Sequence, residues 1–173
     1  KAAALTGPYP CILSGMITSA HGWQPLEYSA VPFHLSGESL TWQSLASNPG
    51  NIEQLFFLSG VRTTNDVMRG EETEILGYFQ LDEYKAYSEN ATVVIPGTHS
   101  KHVHIHNSMM TGFKTYMTGE MFELLCTHSV LKFNVTREQS SGITEAFLQG
   151  VQKSEDSALL NSLFSVRTND LFK

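Results

Sequence analysis

The run Val93-Val94-Ile95 stops at Pro96-Gly97, and an alternating apolar pattern resumes at Val103 and Ile105. A β-branched run, a breaker pair and a period-two repeat constrain this part of the chain to two strands joined by a short polar turn. The turn holds Gly97, Thr98, His99, Ser100 and Lys101. Glycine at 97 lets backbone N–H groups come close to a ligand, Thr98 and Ser100 add hydroxyls, and Lys101 adds positive charge. Such a set suits a phosphate. It is not a P-loop, because the spaced glycines and the Gly-Lys-Ser/Thr ending are absent. An ordinary β-hairpin with a polar turn explains the same residues without a ligand.

Elsewhere strand and helix textures alternate. Cys11 to Met16 reads as a buried strand ending at Ser14-Gly15, followed by a loop with Ser19, His21, Gly22, Trp23, Pro25 and Tyr28. Leu55 to Val61 reads as a second buried strand, again closed by Ser-Gly. Glu71 to Leu81 has helical spacing, with Ile75, Leu76 and Phe79 on one face. Ala91 to Ile95 is a third strand, and Lys101 to Ile105 with Met110 to Thr115 form a hairpin around Asn107-Ser108. From about Thr118 the pattern turns helical, with Met121, Leu124, Leu125, His128 and Leu131 as one stripe. Thr136-Arg137-Glu138-Gln139 resembles a capping box, weakened by Gly142. Ala146, Phe147 and Val151 give a further stripe. Ser154-Glu155-Asp156 is expected to open the helix that carries Leu159, Leu160, Leu163 and Phe164. Strands alternating with helices place the chain in the α/β class.

At 173 residues and 41% hydrophobic, the chain can bury a core as one or two units. A net charge of −6, with no basic stripe, argues against a nucleic-acid partner or a membrane surface. The apolar runs are far too short for a transmembrane helix. Cys11 and Cys126 are expected to be buried free thiols in a reducing cytosol, which points to a cytoplasmic protein. The start at Lys1 lacks the apolar core of a signal peptide, and the end at Lys173 falls mid-pattern. The expectation is a piece of something longer.

Four groups of residues can carry chemistry. Asp66, Arg69, Gly70, Glu71, Glu72 and Thr73 bring three carboxylates and an arginine around a glycine. A general base needs such a carboxylate near a substrate hydroxyl, and a helix start favours its charged form. Helix-start decoration accounts for the same residues. Ser14, Ser19, His21, Trp23 and Tyr28 interleave polar and aromatic groups, which suits a sugar's hydroxyl edge and C–H faces; a loop with a packed Trp anchor is the plain alternative. His102, His104 and His106 share one face of a strand, where two imidazoles would suit zinc. No further ligand is evident, and exposed histidines on a half-buried hairpin explain the spacing. Thr118 and Gly119 read as a helix cap.

In order along the chain, Leu13 to Ile17 with Gly22-Trp23 and Tyr28, then Asp66 to Thr73, then Pro96 to Lys101, then Thr115 to Glu120 and His128-Ser129 resemble the 2-keto-3-deoxygalactonate kinase family. The Met68 to Thr73 and Pro96 to Lys101 strings are unusual, and the likeness runs from about Cys11 to the segments at Ala146-Phe147 and Leu163 to Asp170.

The resemblance implies part of a two-lobed actin-like ATPase (ribonuclease H-like) fold, with MgATP and a sugar acid in the cleft. It implies transfer of the ATP γ-phosphoryl to the 6-hydroxyl of 2-dehydro-3-deoxy-D-galactonate, that is, a 2-dehydro-3-deoxygalactonokinase using ATP and Mg²⁺. Residues 1–90 would belong to the first lobe, with the sugar loop and catalytic acid. Residues 91–173 would begin the second, with the phosphate hairpin and helices. Glu71 is then the first choice for the base, with Glu72 and Asp66 behind it. Gly97, Thr98, Ser100 and Lys101 map to phosphate binding. Ser14, Gly15, Met16, Gly22, Trp23 and Arg69 map to the sugar side. The family's Asp-x-Gly-Thr-Thr-type hairpin and its glycine-rich adenine segment have no counterpart in the sequence, so a central portion, incomplete at both ends and inactive alone, is expected. A homodimer is compatible with the sequence. The alternatives are a non-catalytic sugar-binding remnant and a zinc-dependent hydrolase built on His102, His104 and His106.

Overall fold

Alternation sets the sheet that the rest of the fold packs against. In the computed structural model, which describes residues 9–45, 52–135, 144–156 and 158–172, Val103 and Ile105 are buried while His104 and His106 are exposed. The chain divides into two compact units, Lys1–Met117 and Thr118–Lys173.

The first unit contains strands β1 (Tyr9–Leu13), β2 (Ser29–Ala30), β3 (Phe33–His34), β4 (Trp42–Leu45), β5 (Ile52–Leu58), β6 (Val61–Arg62) and β7 (Val67–Met68). Helix α1 (Glu71–Gln80) follows, then β8 (Asn90–Ile95), β9 (Ser100–His106) and β10 (Met109–Tyr116). They form three sheets, in the orders β1-β5-β4, β2-β6-β7 and β3-β10-β9-β8. β1 runs parallel to β5 and β2 parallel to β6, whereas the pairings in the four-stranded sheet are antiparallel. One core joins these parts: Phe33, Val61, Met68, Ile75 and Phe79 pack with Val103, Ile105, Met110 and Phe113. The second unit contains α2 (Thr118–His128), α3 (Glu145–Asp156) and α4 (Leu159–Leu171). The fold is mixed α/β, and among the described residues no helix is long and apolar enough to cross a membrane.

Several boundaries differ from the sequence expectation. The first strand stops at Leu13, because Gly15 takes φ +83° and turns the chain into a 3-10 helix over Gly15–Thr18. β1 is also only half buried, with Ile12 facing outward at 64% exposure. The second strand ends at Leu58, and Val61 belongs to a different sheet. Hydrogen bonds mark the handover: Ser59 donates its N–H to Thr41 and Gly60 accepts from Ser29, both at 2.9 Å. Strands β8 to β10 share the core of the preceding residues, and the compact unit runs to Met117. Ser154, Glu155 and Asp156 close α3 instead of opening α4, whose N-cap is Ala158. The capping box at residues 136–139 lies outside the described residues. The helix expected over residues 71–81 is present, and Asn107 and Ser108 form the hairpin turn with φ of +48° and +57°.

Gly60 is the tightest point near the sheet junction. A Cβ there would lie 2.5 Å from the Met68 carbonyl oxygen, 2.8 Å from the Tyr28 ring and 3.0 Å from Arg69 Cβ. Gly60→Ala is therefore expected to destabilise the chain by about 1–3 kcal/mol, the usual range for overpacking. Denaturant unfolding checks this, and an unchanged midpoint would show that the junction relaxes freely.

Candidate active site

Helix α1 begins without a capping side chain. Its N-cap is Gly70, with φ +113° and ψ −46°, so the orphan N–H groups ahead of the first turn need acceptors from elsewhere. The helix supplies them from its own first turn. Glu71 Oε2 accepts the Arg69 N–H at 3.1 Å. Both oxygens of Glu72 accept the Gly70 N–H, at 2.9 and 2.7 Å. This is the reach-back of a capping box made by two carboxylates at once.

Their fates then diverge. Glu72 is fully buried, and burial pushes its carboxyl above its ordinary value of 4.5. Hydrogen bonds from its own N–H, the Gly70 N–H and the Thr73 hydroxyl work against that shift, and neighbouring Glu71 adds to it. Glu71 keeps 26% of its side chain exposed, and its Oε1 lies 3.6 Å from the ammonium of Lys101, itself 7% exposed. Asp66 is committed to the sheet: Oδ2 accepts the Thr115 N–H at 2.7 Å, and Oδ1 accepts the Thr115 hydroxyl and the Val67 N–H at 2.8 Å.

Arg69 joins this segment to the loop after β1. Its Nη1 donates to the Thr18 carbonyl at 2.7 Å and to the Thr18 hydroxyl at 2.8 Å. Its Nη2 donates to the Leu26 carbonyl at 3.3 Å, and the guanidinium lies 4.1 Å over the Tyr28 ring. Arg69 is thus engaged with the loop itself. The close approach extends to the backbone, since a Cβ on Gly70 would stand 3.4 Å from Gly15 Cα. Three segments remote in sequence meet here, around Gly15–Thr18, Arg69–Glu72 and Lys101.

The other expected site residues are distributed as follows. Ser14 precedes the 3-10 helix, Met16 is 73% exposed, and Trp23 is 60% exposed with its ring edge-on to Phe57 at 5.4 Å. Gly22 is dictated by packing, because a Cβ there would fall 2.2 Å from the Ile17 carbonyl oxygen. In the Pro96 to Lys101 turn, residues 96–99 are exposed. Ser100 is buried and closes the turn, its Oγ accepting the Gly97 N–H at 3.3 Å. Gly97 has φ outside the left-handed region and open space where a Cβ would stand, so neither backbone nor packing demands glycine there. His102 lies against Tyr116 at 4.6 Å and His104 Nδ1 is 3.4 Å from the Thr92 hydroxyl. Among the described residues, no group of three or more His, Cys, Asp or Glu is arranged to hold a metal ion.

Sequence reasoning missed Thr18, the acceptor for Arg69, and Thr115 as the partner of Asp66. An unremarkable threonine carries no signal of such contacts. Two open cavities, of about 430 Å³ beside Tyr78, Tyr84 and Tyr87 and about 420 Å³ over Ile12, Trp42 and Phe56, are lined by none of the expected site residues.

The family model for 2-keto-3-deoxy-galactonokinase matches residues 2–173. The chain is 32% identical over 167 residues to 2-dehydro-3-deoxygalactonokinase of Escherichia coli (strain K12), covering 92% of this chain and 52% of that protein. A Rhizobium meliloti (strain 1021) protein assigned the same activity is 32% identical over 178 residues, covering 98% of this chain and 56% of the relative. A crystal structure from Sinorhizobium meliloti, assigned as a 2-dehydro-3-deoxygalactonokinase, matches with a TM-score of 0.77 at 30% identity, covering 96% of this chain and 55% of that one. The chain spans about half the length of the curated relatives it matches. A match over nearly every residue, in sequence and in fold, means that this chain belongs to the 2-keto-3-deoxy-galactonokinase family.

Proposed function

We propose that the chain is the part of a sugar-acid kinase that carries its general base and one phosphate-binding turn. The observation that carries this reading is the meeting at Glu71: a partly exposed carboxylate stands where the loop after β1, the start of α1 and the base of the Pro96 to Lys101 turn converge. The full reaction in this reading is transfer of the ATP γ-phosphoryl to the 6-hydroxyl of 2-dehydro-3-deoxy-D-galactonate, within a two-lobed actin-like fold. The family membership supports it.

Each residue then has a task. Glu71 accepts the proton of the sugar hydroxyl as that oxygen bonds to the γ-phosphorus and the bond to the ADP oxygen breaks. Its place in the first turn of α1, partly exposed, leaves it within reach of a substrate hydroxyl. Glu72 and Asp66 hold backbone instead: one fixes Gly70, the other ties the segment to β10. Gly97 and Thr98, on the exposed tip of the turn, face the phosphates. A glycine that the fold does not require suits close approach of backbone to a ligand. Met16 and Trp23 offer apolar surface for the sugar's C–H face, and Arg69 keeps their loop in place. Mg²⁺ in such sites is held largely by substrate phosphates and water. When bound it would neutralise charge developing on the transferring group.

Three tests separate these roles. In a version of the chain extended to the full length of its relatives, coupled ADP release should show Glu71→Gln lowering kcat about 10²–10⁴-fold with a small change in KM for the sugar acid. Retained turnover in Glu71→Gln, or no turnover by the extended protein on the sugar acid, would sink the reading. Gly97→Val should raise the KM for ATP while leaving the melting temperature unchanged, because its side chain meets open space in the fold. A fall in stability that explains the whole loss would return Gly97 to the fold.

The third test uses pH. Because the folded-state value of Glu72 is raised, the folded chain holds the proton more tightly than the unfolded chain. Its contribution to stability is complete below about pH 4.5 and is lost as pH rises through the raised value. Wild-type stability relative to Glu72→Gln should therefore decline on raising the pH from there. Thermal melts at stepped pH check the sign, and a difference that grows with pH would contradict it.

A further inference from the structure

We infer that Lys101 is a positioning residue, whose ammonium group holds the Glu71 carboxylate in place and does not bind phosphate. The inference rests on the reading of Glu71 as the base. A lysine at the end of a phosphate-binding turn invites assignment to the nucleotide, but the fold aims it elsewhere. Its side chain is 7% exposed, and the counter-charge beside it is Glu71 Oε1 at 3.6 Å. An ammonium group held so far from water requires such a counter-charge.

The geometry fits a guide better than a clamp. At 3.6 Å the contact is an ion pair and not a hydrogen bond, so the lone pairs of Oε1 remain open to an incoming hydroxyl. The second oxygen is fixed by the backbone, through the Arg69 N–H at 3.1 Å. One oxygen is anchored and the other is steered by charge. The position of Lys101 is itself determined by sheet register. From β9 it pairs with Thr115 of β10, and Thr115 is bonded through its N–H and hydroxyl to Asp66, just ahead of Glu71. Strand pairing and the Asp66 contacts thus place the ammonium group and the carboxylate against each other.

Steady-state kinetics on the full-length version test this, using Lys101→Met, Lys101→Arg, Glu71→Gln and the double variant Glu71→Gln/Lys101→Met. Lys101→Met should lower kcat about 10- to 100-fold, the scale of coupling between contacting residues, with the KM for ATP near its wild-type value. Lys101→Arg should recover part of the lost kcat. The double variant should be no slower than Glu71→Gln alone, because a residue that acts through the base has nothing left to act on. If Lys101→Met does not fold, Lys101→Arg and Lys101→Gln carry the same comparison. A raised KM for ATP with kcat retained would make Lys101 a phosphate ligand. A multiplied loss in the double variant would show that it acts apart from Glu71. Either result overturns the inference while leaving Glu71 as base, whereas unchanged turnover in Glu71→Gln removes the base assignment and the inference with it.

Discussion

The arrangement depends on how one guanidinium is held, through its two Nη groups and not through its buried Nε. Arg69 presents rigid, planar donors that cannot be aimed independently, so the groups around it must come to them. The loop after β1 does so with the Thr18 carbonyl, the Thr18 hydroxyl and the Leu26 carbonyl, while Tyr28 lies against the cation's face. Hydrogen bonds to charged groups contribute about 1.5–3 kcal/mol each, a large share of the roughly 5–15 kcal/mol that holds a domain folded. The loop therefore cannot leave Arg69 without a substantial loss. With Arg69 fixed, Gly70 follows it directly into backbone contact with Gly15, and α1 starts from there.

From that starting point the three neighbouring carboxylates separate by environment. Asp66 spends its lone pairs on Thr115 and Val67, and Glu72 spends its own on Gly70 inside the core. Glu72 is fully buried, so it lacks the contact with substrate that a proton-transfer role needs. Glu71 alone of the three combines an oriented carboxylate with partial exposure and a nearby positive charge. The choice among them follows from what each already holds.

The sequence carried the local rules well and the long-range ones hardly at all. The hairpin at Asn107-Ser108 and the helix after Gly70 were legible because turn chemistry and apolar spacing act over a few residues. Short strands such as β2, β3 and β7, two residues each, have no periodicity to read. The acidic Ser154 to Asp156 cluster looked like a helix start because charge pattern alone does not say which side of a break it occupies. The residues of the Pro96 to Lys101 string were recognisable, yet their directions were not: Ser100 turns inward to Gly97 and Lys101 toward Glu71. Arg69 and Thr18 stand 51 residues apart, and only the folded sheets bring them together.

This division bears on how a phosphoryl-transfer site can be built from such elements. Catalysis of this kind is mainly positioning and charge neutralisation, and small misplacements are costly. The proposed base, Glu71, sits on a helix start, the lysine on a strand in fixed register, and the arginine under a loop it holds by three hydrogen bonds. Each is carried by regular structure or locked by several contacts, as a preorganised site requires. The tip at residues 96–99 is different, being exposed and free of packing at Gly97. Bonded contacts are concentrated at the carboxylate and exposure at the turn, a distribution that suits the proposed reaction, in which a bulky nucleotide is received and a single proton removed at a fixed point.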